Sequence, residues 1–344
     1  MADRAMPHVK TGRVTLDHGG GGRASRELVH RYFLPRFLNK ILEKMDDSAV
    51  VDFPGRRLAM TTDSYVVDPI FFPGGDIGAL AVNGTVNDLS AQGASPLFLS
   101  AAFILEEGFE IRDLEIVLGS MASAAREAGV SIVTGDTKVV PKGKGDKIYI
   151  NTTGIGLIEE GIYVSGTGAR PGDAVILTGS IGDHGIAVLS RREGLNFDTD
   201  LKSDSAPLNG LVREILSTTD GIHTMRDPTR GGVAATLNEI ATQSGVGIRI
   251  DEAAIPVKDG VRSACEILGL DPLYVANEGK LLVILDSRDA SGVLEKIRLN
   301  RYGRDGRIIG EVVADHPGRV VMRTRAGGTR IIDMPLGEQL PRIC

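Results

Sequence analysis

The sequence predicts an α/β protein built from two domains. The chain has 344 residues, about twice the ~150 of a typical domain. Stretches with strand-like and helix-like periods alternate along both halves. Between the halves, Gly166-Thr167-Gly168-Ala169-Arg170-Pro171-Gly172-Asp173 carries every local signal of a loop.

Residues 1–23 are polar and end in His18-Gly19-Gly20-Gly21-Gly22-Arg23, which reads as a flexible glycine-rich segment. An amphipathic helix is expected over about 24–39, with Leu28, Phe33 and Phe37 on its apolar face. Residues 57–61 read as a strand that delivers Thr62-Asp63-Ser64. Residues 77–92 read as a helix rich in small side chains, and 97–105 as a buried strand. Residues 112–128 form a helix closed by Gly129 as its C-cap. Residues 130–134 read as a strand whose end delivers Gly135-Asp136-Thr137-Lys138, and 147–157 alternate as another strand. The order β-α-β-α-β makes 24–165 one domain of mixed α+β type. In 170–334, strands are expected at 174–177, 247–250, 281–285 and 307–312, with helices near 207–217, 230–243 and 258–268. Residues 335–344 carry two prolines and no periodicity, which predicts a mobile tail ending in Cys344.

Composition narrows the class of function. A hydrophobic content of 42% and a charged content of 24% describe an ordinary globular chain. The net charge of −6, with no long basic run, argues against a broad nucleic-acid surface. No apolar stretch approaches the ~18 residues of a membrane span, and the first twelve residues lack a signal-peptide core. With only Cys265 and Cys344, neither a disulfide framework nor a CxxC zinc site is available. A cytoplasmic, reducing location is expected. Forty-four glycines with no Trp imply many special backbone positions and a core of small aliphatics.

Three aspartates stand where predicted elements hand over to loops: Asp63 in TTDSY, Asp88 in VNDL and Asp136 in GDTK. Each alone is an ordinary cap or turn residue. Three in one half fit a hard cation such as Mg²⁺, which takes a few carboxylates plus phosphate oxygens, with Asn87 as a neutral oxygen donor. Gly19 to Gly22 offer consecutive unobstructed N–H groups near a helix start, which phosphate oxygens require, although a linker has the same composition. No Walker A or GxGxxG spacing is present. Lys138 stands at the mouth of the Asp136 turn, where it fits a phosphate contact or a base; on its own it is equally a solvated lysine. Glu278 in ANEGK is a loop carboxylate, functional if it faces a cleft. Arg226-Asp227-Pro228-Thr229-Arg230-Gly231-Gly232 reads as an anion pocket at a helix start. His184 in GDHG reads as a helix-cap neighbour or a catalytic group, and Cys265 as core. The terminal thiol of Cys344 lies beside its own α-carboxylate, which disfavours the thiolate, with Arg342 expected to offset that charge. By itself it is a frayed end.

TTDSYVVDPIFFPGGDIG, VNDLSAQGA, VTGDTKVV, GDHG, RDPTRGG, ANEGKL and the terminal PRIC occur together and in this order. From about Asp17 to Cys344 the chain thereby resembles the HypE family of hydrogenase maturation factors. These are carbamoyl dehydratases of the ATP-binding superfamily that includes aminoimidazole ribonucleotide synthetase, selenophosphate synthetase and thiamine-monophosphate kinase. The aspartate motifs mark the superfamily, and PRIC marks HypE. That family often has a serine in its first glycine loop; DHGGGG here leaves the backbone donors intact.

The resemblance implies a homodimer in which N-terminal domain strands of two subunits form a barrel, followed by a C-terminal α/β domain. It implies that 24–165 binds ATP and dimerises. The carbamoyltransferase HypF would load a carbamoyl group onto Cys344. ATP with Mg²⁺ would then convert the thiocarbamate to thiocyanate, and a HypC–HypD complex would receive cyanide on iron. Asp63, Asp88 and Asp136 fall to metal and phosphate binding, with Asn87 and Thr137 beside them and Gly19, Gly20, Gly21 and Gly22 covering the phosphates. Lys138 and Glu278 become the candidates for proton removal. The alternatives are a small-molecule kinase or synthetase of the same superfamily, or a nucleotide-binding assembly scaffold.

Overall fold

The structure, a computed structural model, describes residues 22–28, 30–31, 42–195, 201–337 and 340–344. Gly19, Gly20 and Gly21, and most of the helix expected over 24–39, lie outside the described residues; α1 (Arg23–Leu28) and residues 30–31 are the parts inside.

The first domain is a five-stranded sheet in the order β1-β2-β7-β5-β6, made of β1 (Ala49–Phe53), β2 (Arg56–Tyr65), β5 (Ala94–Glu106), β6 (Ser131–Val140) and β7 (Ile148–Ile158). A small hairpin of β3 (Phe71–Phe72) and β4 (Gly75–Asp76) leads into α2 (Ile77–Ala91). Asp76 starts that helix: its Oδ1 accepts from the N–H groups of Gly78 (2.7 Å) and Ala79 (3.1 Å). Helix α3 (Ile111–Ala128) connects β5 to β6, which run parallel, so these three elements form a βαβ crossover. Its buried residues, Val117, Met121, Ala124, Ala125 and Ala128, recur at helical spacing and pack on α2. Gly129 closes the helix at φ 71°, as the sequence predicts.

Both helices cover one face of the sheet. The other face is open, and its apolar residues are aligned. Met60 pairs with Ile155, and Ile155 pairs with Phe98, in one row across three strands. Each of the three is more than a third exposed, and Ile132, Val133 and Val139 on the edge strand β6 are exposed as well.

The second domain is a seven-stranded sheet in the order β14-β13-β10-β12-β8-β11-β9. Its strands are β8 (Asp173–Leu177), β9 (Ile222–Arg226), β10 (Gly247–Asp251), β11 (Leu282–Asp286), β12 (Arg307–Val313), β13 (Val320–Arg323) and β14 (Thr329–Ile332). The helices are α4 (Asp183–Arg192), α5 (Asn209–Leu216), α6 (Gly232–Ser244), α7 (Asp259–Leu268) and α8 (Ala290–Leu299). Val175 and Leu177 of β8, with Leu282 and Ile284 of β11, pack on α6. Ala174 and Ile176, with Val283 and Leu285, pack on α5 and α8 from the opposite side. Strands buried on both faces read as continuous apolar runs because every residue meets a helix.

Short elements are those that sequence reading passes over: β1, the β3–β4 hairpin, α4, β9, α8, β13 and β14. The larger difference is at GDTK. β6 does not stop at Thr134 but continues to Val140, so Gly135 to Lys138 lie inside an edge strand and not on a turn. Pairing with β5 holds them extended, through Ala101 opposite Gly135 to Ile104 opposite Lys138. The tail also differs from expectation, because it is docked. Ile343 is 2% exposed and belongs to the first domain's core, with Leu340 and Cys344 packed against it.

Candidate functional site

The site begins on the helix-covered face of the first sheet. Alternation along β2 turns Thr61, Asp63 and Tyr65 towards α2, which supplies Thr85 and Asp88. The Thr61 hydroxyl donates to Asp88 Oδ2 at 2.8 Å. Tyr65 Oη and Thr85 Oγ1 donate to Asp63 Oδ2 at 3.4 and 3.5 Å. The strand and helix come this close because Gly84 has no side chain: a Cβ there would stand 2.2 Å from Tyr65 Oη. Burial raises the carboxyl of Asp63 above its usual range, a shift moderated by hydrogen bonding with Asp88 and by Arg230. Asp88 is raised further, by burial and then by the negative charges of Asp63, Asp227 and Asp47.

The second domain brings the loop between β9 and α6 against this cluster. Asp227 is pushed up to about 6 by burial, against the attraction of Arg226 and with repulsion from Asp63. Arg226 is itself buried, with Nε 2.5 Å from Asp47 Oδ1 and Nη2 3.0 Å from Glu239. Asp63, Asp88 and Asp227 thus crowd negative charge into one buried place, an arrangement that a divalent cation relieves. Among the described residues no three acidic or histidine side chains converge closely enough to enclose an ion alone. That suits Mg²⁺, which takes one or two carboxylates and completes its shell with water and phosphate.

Glu278 lies on the loop before β11 and is 2% exposed. Its Oε1 has no hydrogen-bond partner, while its backbone N–H donates to Asp204. Burial, then Asp227 and Asp204, hold its carboxyl well above the carboxylate range, with Arg230 pulling the other way. A buried carboxyl with an unused oxygen and raised proton affinity is what a general base requires. Asn87 has a different place from that expected. Its Oδ1 accepts from Leu208 N–H at 2.8 Å, and its Nδ2 donates to the carbonyls of Ala206 and Glu278. It staples α2 to the second domain, and its oxygen is occupied by backbone.

Cys344 is half-buried and stands beside Arg230. The charge of that terminal residue is the main influence holding Arg230 protonated, ahead of opposing burial and of Asp63, Glu278 and Tyr65. Arg230 therefore does what was expected of Arg342. Arg342 turns outwards instead, to Asp146 and, at 3.8 Å, to Asp68. The carbonyls of the last four residues are engaged: Pro341 O and Arg342 O accept from Arg192, Ile343 O from His184 and Cys344 O from Val66 N–H.

Asp136, Thr137 and Lys138 stand apart from this cluster. Register carries Asp63 through Thr152 and Ala101 to Gly135, three strand spacings or about 14 Å away. Asp136 and Lys138 align with Ala102 and the exposed Ile104, on the open face and not the covered one. They form an exposed ion pair at 2.6 Å, and the Lys138 ammonium, with the Thr137 N–H, lowers the Asp136 carboxyl. The structure brings Asp63, Asp88 and Glu278 into one electrostatic cluster, which Arg230 links to Cys344, and leaves Asp136, Thr137 and Lys138 on the sheet edge. Gly22 is buried against Pro335, whose carbonyl accepts from Arg23 N–H at 2.9 Å.

Sequence reading did not single out Arg192, and it offered His184 as a helix-cap neighbour or a catalytic group without linking it to the tail. RDPTRGG was legible as an anion pocket; that one of its arginines meets the chain terminus was not.

The family description "AIR synthase related protein, N-terminal domain" fits residues 45–158, and its C-terminal counterpart fits 170–323. The chain is 55% identical over 338 residues to the carbamoyl dehydratase HypE of Cupriavidus necator, covering 98% of this chain and 96% of the relative. This chain belongs to the HypE family. A crystal structure of a HypE in complex with ATP is 54% identical, with a TM-score of 0.82 over 96% of this chain and all of that one. A HypE–HypF complex gives a TM-score of 0.86 at 52% identity, over 90% of this chain and 99% of that one. The PRIC terminus and the acidic cluster are thus features of a HypE carbamoyl dehydratase with the mixed α/β architecture of its family.

Proposed function

We propose that this chain dehydrates a carbamoyl group carried on its own Cys344, using ATP, to make the cyanide ligands of nickel–iron hydrogenase. The observation that carries this reading is the docked terminus, which holds Cys344 beside Arg230, an arginine on which Asp63 and Glu278 also act. The thiocarbamate S–C(=O)–NH₂ loses water poorly because oxide is a poor leaving group. Its oxygen attacks the γ-phosphorus of ATP, ADP departs, and the oxygen then leaves as phosphate. Two protons leave the nitrogen and the C≡N bond forms, giving S–C≡N, ADP and inorganic phosphate.

Arg230 holds the terminus in place and offsets negative charge as phosphate approaches. Glu278, with its raised proton affinity and vacant oxygen, takes a proton from nitrogen. One or two of Asp63, Asp88 and Asp227 would hold Mg²⁺, which would screen the triphosphate charge. Gly19 to Gly22 would cover the phosphates.

A homodimer supports this arrangement. The row Met60–Ile155–Phe98 and the exposed residues of β6 suit burial against a second copy. Asp136, Thr137 and Lys138 would then reach a nucleotide from the interface, Lys138 serving as the second candidate base. HypF would load the thiol, and a HypC–HypD complex would collect cyanide, all in the cytoplasm. Among the described residues, no helix is long and apolar enough to cross a membrane.

Cys344→Ala tests the reading. The carbamoylated wild-type chain is expected to release phosphate and to show a thiocyanate mass on its terminal peptide; the variant shows neither. Cyanide delivery to iron by the variant would refute the proposal. Deleting Arg342 to Cys344 leaves a small-molecule kinase active. Partner binding without phosphate release from carbamoylated protein would point to a scaffold.

A further inference from the structure

The tail is held in an unusual way for a segment that carries a reactive group. One side of it pairs with the chain after β2: Asp68 N–H donates to Arg342 O and Val66 N–H to Cys344 O, both at 3.1 Å, an antiparallel strand-like pairing. The other side lies along α4. Arg192, in the last turn of that helix, donates from Nη1 to Pro341 O (2.7 Å) and from Nη2 to Arg342 O (2.6 Å), and its Nε bonds Asp68 O (2.7 Å). One guanidinium thus ties the tail to the segment it pairs with. His184, in the first turn of α4, is 2.7 Å from Ile343 O through Nε2 and 2.8 Å from Ser203 Oγ through Nδ1. A carbonyl only accepts, so Nε2 carries the proton, and Nδ1 of the neutral ring accepts from Ser203. Burial lowers the imidazole's proton affinity, consistent with the neutral ring.

We infer that Arg192, with His184, is a positioning clamp that sets how long Cys344 stays in the site by gripping the tail backbone. This rests on the carrier reading above and names what regulates it. A carrier passes through three chemical states, thiol, thiocarbamate and thiocyanate. A grip on the carbonyls of residues 341–343 ignores which group the sulfur bears, so all three dock equally. The buried Ile343 side chain adds a fixed apolar anchor that is likewise blind to the sulfur. Arg192 matches three carbonyls because its donors are fixed in a planar fork, which a lysine cannot reproduce.

Thiol alkylation reads the clamp directly, because the chain has one cysteine on the tail and one in the core. Cys265 is 1% exposed on α7 and its thiol is pushed up to about 11 by burial, so it labels only if the fold opens. The experiment compares iodoacetamide labelling of unmodified wild type, Arg192→Ala and Arg192→Lys, followed by single-turnover phosphate release from the carbamoylated proteins. Labelling of Cys344 is expected to rise at least about tenfold in both variants with Cys265 silent, the loss of charge-assisted hydrogen bonds setting the scale. Phosphate release should fall in parallel. Unchanged labelling of Cys344 overturns the clamp. Labelling of Cys265 alongside it makes Arg192 a residue of the fold and also overturns it. Faster labelling with undiminished phosphate release removes the clamp from the reaction. Failure of the Cys344→Ala test would refute the carrier reading while leaving the labelling result standing.

Discussion

Asp227→Asn separates the stability of this site from its function. The Asp227 carboxyl is raised from 3.8 to about 6 in the folded chain, chiefly by burial. An acid with a raised folded value costs nothing below pH 3.8; the cost grows between 3.8 and 6 and is complete above 6. Stability is therefore lost as pH rises through that window. Integrating the two titrations gives a cost on the order of 3 kcal/mol at pH 7.5 and roughly half of that at pH 5. Asparagine keeps the shape and removes the charge, so it should recover most of that. At roughly 2–4 °C per kcal/mol, thermal unfolding should shift up by several degrees at pH 7.5 and by about half as much at pH 5. The same variant should bind Mg²⁺–ATP more weakly, because a carboxylate of the crowded cluster is gone. Calorimetric melting at the two pH values and nucleotide titration on the same samples check both halves. A variant no more stable than wild type at pH 7.5, or one whose gain is the same at both pH values, would refute the reasoning. Sites that hold charges ready for a ligand give up stability to do so.

Glu278→Gln should lower single-turnover dehydration by about 10²–10⁴-fold, the range for loss of a general base, while ATP affinity measured by calorimetry stays within a few-fold. Retained turnover would assign the proton transfer elsewhere, with Lys138 next. Because burial also raises the Glu278 carboxyl, this variant too should melt higher at neutral pH than wild type, with the gain shrinking as pH falls. Phe98→Glu sets a charge in the middle of the open-face row and should weaken self-association a hundredfold or more in sedimentation, a shift of about 3 kcal/mol. An unaltered dimer would move the interface off this face.

Much of the chain was legible in order. Residues 77–91, 111–128 and 282–286 are long or strongly patterned enough that local periodicity decides them, and Gly129 ends its helix for a local steric reason. The motif string ending in PRIC identified the family, because HypE chemistry is written in short runs of adjacent residues. What sequence did not decide depends on partners remote along the chain. GDTK looked like a turn because glycine and aspartate favour turns, but hydrogen bonding to β5 extends it as an edge strand. Asp63 and Asp136 carry the same local signature, yet register places them three strands apart on opposite faces. Asn87 looked like an oxygen ligand until Leu208, 121 residues away, took that oxygen. The terminus is the clearest instance. Composition predicted a loose end, since no local period orders residues 335–344. Its order comes instead from Arg192, His184, Val66 and Asp68, which meet it only after both domains have folded. The sequence determined that the last residue is a thiol in a HypE chain. Only the tertiary structure decided that this terminus meets Arg230, because proximity across more than a hundred residues is a property of packing and not of local chemistry.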